Sequence, residues 1–85
     1  MPETEVGAVT HYFDRPHVAI VKVAAGEVAV GDTVHIKGAH TDLTEKVTSM
    51  EVEHKKLEAA KVGDEVGILV ADRCRTGDKV YKVTP

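Results

Sequence analysis

Three times the chain runs Gly-Asp into a short apolar stretch: Gly31-Asp32-Thr33-Val34-His35-Ile36, Gly63-Asp64-Glu65-Val66-Gly67-Ile68 and Gly77-Asp78-Lys79-Val80-Tyr81-Lys82. Glycine takes φ > 0 at no steric cost, and a following aspartate can accept a hydrogen bond from a nearby backbone N–H. Each pair therefore reverses the chain and opens a strand. Repeated strand entry of this kind predicts a small β-barrel or sandwich. The unequal spacing of the copies argues against a solenoid, which needs a fixed period. Composition points the same way, because the apolar residues are mostly Val and Ala with only 4% aromatics, as suits a sheet interior.

Six strands are expected, over residues 5–13, 18–24, 33–38, 44–53, 65–71 and 79–83. Arg15-Pro16 separates the first two, Ala25-Gly26 and Gly31-Asp32 bracket a connecting turn, and 38–42 join the third to the fourth. Number and length suit a closed antiparallel Greek-key barrel. Alternation puts Val34 and Ile36 inward with His35 and Lys37 outward. It also places Val66, Ile68 and Val70 on one face, with Gly67 and Leu69 on the other. Gly67 leaves room there for a close neighbour. In the long fourth strand Met50 and Val52 share a face with Thr48 and His54, opposite Ser49, Glu51 and Glu53. Val47 falls out of phase, so either a β-bulge near Thr48-Ser49 absorbs it or it packs on an outer apolar strip. Lys55–Lys61 holds good helix formers but is short, and is expected to form a connection with one helical turn, Leu57 and Val62 pointing inward.

Eighty-five residues make one domain spanning 1–85, its first four residues expected to be flexible. The net charge of −3 gives no global attraction to a polyanion, so any nucleic-acid contact must be local. Arg73, Arg75, Lys79 and Lys82 offer such a patch, diluted by Asp72 and Asp78. One cysteine, Cys74, excludes an internal disulfide and fits a reducing, cytoplasmic setting. The acidic start lacks the basic and apolar parts of a signal peptide, and no apolar run has membrane-spanning length. Neither export nor a membrane is expected.

No phosphate-binding G-x-x-x-x-G-K-[ST] loop occurs, and no G-x-S-x-G, H-E-x-x-H or C-x-x-C pattern. No nucleotide, cofactor or metal is therefore expected, and no enzymatic activity. The five histidines match no ligand spacing and read as surface or structural groups. Arg73 and Arg75 flank Cys74 and could lower its thiol pKa, although no base adjoins it. Glu51 and Glu53, two apart on one strand face, read as a recognition surface rather than a catalytic pair.

Gly26-Glu27-Val28-Ala29-Val30-Gly31-Asp32-Thr33-Val34-His35-Ile36-Lys37-Gly38 resembles the G-x-[LIV]-x-[VP]-G-[DE]-x-[VLI]-x-[IV]-x-G signature of the second domain of translational GTPases. Val47–Glu51 and Ala60–Ile68 resemble the segments that follow it in elongation factor Tu and initiation factor 2, and the likeness covers nearly the whole chain. Val6–Phe13 and Ser49–Lys55 look like small stand-alone proteins called translation elongation factor-like. The resemblance implies a six-stranded closed barrel of the translation-factor domain 2 type without its GTPase domain. It also implies contact with a transfer-RNA 3′ end or ribosomal RNA. Glu51 falls where the family places a glutamate against the terminal adenine, and His54 where it has an arginine. The RNA-binding candidates are Ser49, Glu51, Glu53, His54, Arg73 and Arg75. The alternative is a protein-interaction module docking a partner protein through Val18, Ile20 and Leu69.

Overall fold

The computed structural model describes residues 2–14, 17–53 and 55–84. They form ten strands: β1 (Glu3–Phe13), β2 (Val18–Val23), β3 (Glu27–Ala29), β4 (Thr33–Lys37), β5 (Asp42–Lys46), β6 (Met50–Val52), β7 (Lys55–Lys56), β8 (Ala59–Lys61), β9 (Glu65–Leu69) and β10 (Lys79–Val83). Eight make one antiparallel sheet in the order β5-β4-β10-β1-β2-β9-β6-β7, and β3 pairs with β8 apart from it.

Each Gly-Asp pair ends the same turn. Gly31, Gly63 and Gly77 sit at φ of 100°, 96° and 94°. The following aspartate N–H donates to the carbonyl three residues back: Asp32 to Ala29, Asp64 to Lys61 and Asp78 to Arg75. Its carboxylate accepts the N–H of that same residue, at 2.8, 2.9 and 2.8 Å. This is the type II pattern with its glycine at the third position, sealed by the aspartate. β4, β9 and β10 each begin at the next residue.

The core is Val-rich, and among the described residues its fully buried side chains include no aromatic ring, Ile36, Met50 and Ile68 being the largest. Val34, Ile36, Val66, Ile68 and Val70 all point into it, as alternation predicts. So does Val47, which leaves the ladder between β5 and β6. Its N–H donates to Asp32 and its carbonyl accepts from Gly31. The expected long strand is thus two strands with a break, neither one bulged strand nor an outer strip.

The closed six-stranded barrel is not what forms. β5 and β7 end the sheet order, and β5 meets the segment after β9 through a side chain, the Glu45 carboxylate accepting Ala71 N–H at 2.9 Å. The fold is a barrel-like open sheet. Lys55–Lys61 holds β7 and β8 rather than a helical turn, because pairing with β3 buries Val28 against Ala60 completely. Tertiary pairing overrides the local propensity of so short a segment. Leu57 packs on the core as expected, but Val62 is 61% exposed: it occupies the second position of a turn, which projects outward. β1 starts at Glu3, paired with Val83, so residues 3 and 4 belong to the first strand.

Candidate functional site

The outer face of four adjacent strands carries an open groove of about 870 Å³. Its axis is a cross-strand row. His11 of β1 lies opposite Ile20 of β2, Ile20 opposite Gly67 of β9, and Gly67 opposite Glu51 of β6. Gly67 has no side chain and is buried under its neighbours. A Cβ there would come within 3.1 Å of Val18 Cγ1 and 3.4 Å of Ile20 Cδ1, so those two side chains close over the centre of the row and form the groove floor.

The β1 wall depends on a register shift between Val9 and His11. Val9 is buried, and strict alternation would send His11 and Phe13 inward with it. The extra residue, Thr10, resets the phase, so His11 and Phe13 face outward and Tyr12 packs on the core. His11 and Phe13 meet edge to face with centroids 4.6 Å apart, and Phe13 stays 49% exposed. The Thr10 hydroxyl donates to the Glu65 carboxylate at 2.8 Å.

The rim is acidic. Glu51, Glu53 and Glu65 line the groove, and no lysine or arginine does among the described residues. Glu53, directly after β6, sits at φ 50°, a left-handed conformation unusual for a residue with a side chain.

The structure therefore gathers residues from both sequence expectations, Glu51 and Glu53 with Val18 and Ile20. Leu69, 42% exposed, lies beside Val18 in register but outside the groove lining. Ser49 is half-buried, and its carbonyl accepts Leu69 N–H at 3.3 Å. Arg73 and Arg75 line a separate, smaller hollow with Tyr12, Asp14 and Cys74. His54 falls outside the described residues. Thr10, His11, Phe13, Val52 and Glu65 were not singled out in the sequence. For Thr10, His11 and Phe13 the signal was Val9 and Tyr12, two inward residues three apart, a spacing that period-2 alternation cannot provide without a bulge.

Cys74 is buried, and its thiol is pushed up to about 11 by burial, with Asp78, Glu45 and Asp72 adding to the effect. The flanking arginines do not activate it. His35 bridges two carboxylates, Nδ1 to Glu3 at 2.8 Å and Nε2 to Asp42 at 2.5 Å, and its pKa is raised, first by the Asp42 hydrogen bond. Among the described residues no group of three or more His, Cys, Asp or Glu is arranged to hold a metal ion, and no helix is long and apolar enough to cross a membrane.

Residues 17–78 match the family described as Elongation factor Tu domain 2. Among curated proteins, an uncharacterized protease of Methanocaldococcus jannaschii is 36% identical over 78 residues, 91% of this chain and 19% of its own. A collagenase of Porphyromonas gingivalis is 33% identical over 81 residues, 94% of this chain and 22% of its own. The chain thus spans about a fifth of the length of the curated relatives it matches. Among solved structures, the C-terminal domain of a Geobacillus thermoleovorans protein described as a U32 peptidase superposes with TM-score 0.85 at 21% identity, over 96% of this chain and 93% of that one. GDP-bound aIF5B from Aeropyrum pernix superposes with TM-score 0.67 at 22% identity, over 98% of this chain and 14% of that one. The translation-factor fold is shared, but three of the curated relatives carry the names of one protease and two collagenases rather than of stand-alone translation factors.

Proposed function

The chain belongs to the elongation factor Tu domain 2 family, and on that footing we propose that it is a non-catalytic docking module that holds a polypeptide in the groove over Gly67. The observation that carries this reading is the groove's make-up: an apolar floor of Val18, Ile20 and Phe13 rimmed by three carboxylates, with no lysine or arginine lining it among the described residues. Nucleic-acid affinity is dominated by cations on phosphates, and this surface presents the opposite sign. The relatives named for proteolysis support a polypeptide as the ligand and a module that serves a peptidase centre supplied elsewhere. Fold alone would not choose between these ligands.

The test is a titration of the isotopically labelled chain, followed by amide NMR shifts, with an apolar-basic peptide and separately with an acceptor-stem minihelix ending in CCA. Peptide-induced shifts at Ile20, Gly67 and Glu51, absent with the minihelix, are the expected result. Shifts at these amides from the minihelix alone would replace this reading with the RNA one.

A further inference from the structure

We propose that the small hollow beside Arg73 and Arg75 binds one acidic side chain of the docked polypeptide, an inference that rests on the polypeptide-docking reading. Burial alternates along residues 73–75: Cys74 is buried and the arginines on either side of it are exposed, which puts both on the outer face. They line a hollow of about 250 Å³ together with His11, Tyr12 and Thr76. The sequence sets Asp72 and Asp78 beside these cations, yet neither neutralises them. Asp72 Oδ1 accepts the Arg73 N–H at 2.7 Å and Asp78 Oδ2 accepts the Arg75 N–H at 2.8 Å, so both carboxylates are turned to the backbone. Asp14 also lines the hollow, but among the described residues no carboxylate comes within ion-pairing distance of either guanidinium.

The chemistry of the ligand follows from the neighbouring groove. His11 lines both hollows, so the surface changes sign across that one residue, from the acidic rim of Glu51, Glu53 and Glu65 to the two arginines. A polyanion laid on the arginines would carry its next phosphates toward those glutamates. A polypeptide changes sign from one residue to the next, with apolar or basic side chains over the groove and a single acidic one past His11. Its carboxylate also matches the planar donor fork of arginine, which offers two parallel N–H···O bonds to two oxygens. The second guanidinium and the Thr76 hydroxyl supply donors for the remaining lone pairs.

The experiment titrates the intact, isotopically labelled chain with apolar-basic peptides that continue through one, two or three alanines to a glutamate or, in a twin, a glutamine. Both peptide ends are capped, so the glutamate is the only carboxylate. The minihelix ending in CCA is titrated separately. At the best spacing the glutamate peptide should bind about fivefold more tightly than its twin and shift the amides of residues 73–76, which the twin leaves in place. The double variant Arg73→Gln, Arg75→Gln should abolish that difference while the glutamine peptide binds as before. Both arginines are exposed, and unchanged groove amides in the free variant would verify its fold. Equal binding of the twins at every spacing, with the groove amides still shifting, would overturn the carboxylate site and leave polypeptide docking standing. Shifts at residues 73–76 from the minihelix and not from the glutamate peptide would overturn it in favour of an RNA phosphate. Failure of every peptide to shift the groove amides would overturn both proposals.

Discussion

Glycine and aspartate act as a unit in the three turns, and the unit can be taken apart. No atom lies within 4 Å of a Cβ built on Gly31, Gly63 or Gly77, so space is not what excludes a side chain there; the positive φ is. Gly63→Ala should destabilise the chain by about 1–2 kcal/mol in urea unfolding, the cost of the left-handed conformation for an L-residue. Asp64→Ala should cost about as much by leaving the Lys61 N–H without its carboxylate. Glu53 predicts the reverse sign. Glu53→Gly removes the same strain and should stabilise by about 0.5–1 kcal/mol, whereas Glu53→Ala should not. If Glu53→Gly also weakens peptide binding, stability and function are opposed at that position. The turn glycines and aspartates were legible in the sequence because their requirement is local. The strain at Glu53 was not, since nothing in Val52-Glu53 announces a left-handed backbone.

At the scale of elements, His35 ties three strands together. It projects from β4 to Glu3 of β1 and Asp42 of β5, while its ring lies beside Tyr81 of β10. A histidine whose folded pKa exceeds its unfolded 6.5 contributes stability that is fully present below 6.5 and lost as pH rises through the higher folded value. Thermal stability should therefore fall on the alkaline side of 6.5, and His35→Gln should flatten that part of the profile, as melts between pH 6 and pH 9 would measure. Alternation gave the outward direction of His35, but its partners lie 32 and 7 residues away and became neighbours only through the sheet. The bulge at Thr10 works on the same scale. One extra residue turns His11 and Phe13 from core to groove, so the β1 wall depends on register rather than on residue type.

For the whole molecule, the buried thiol reports on global opening. Cys74 is 1% exposed and its thiol is pushed up to about 11, so it combines low access with little thiolate at neutral pH. Labelling by a disulfide reagent at pH 8 should be slow in buffer and accelerate with denaturant in step with unfolding. Rapid labelling of the native chain would show that the 70–78 segment opens on its own. The sequence by itself determined the all-β class, the turn chemistry, the inward faces of β4 and β9 and the family. All of these rest on local conformational preference and on periodicity within one strand. Only the tertiary structure decided that the sheet stays open, that Val47 turns inward, that the helix-prone segment pairs as strands, and that Glu51 and Ile20 face each other across Gly67. Each of these depends on which distant strands lie side by side, and neighbouring strands are chosen by the burial of a shared core that no single segment encodes.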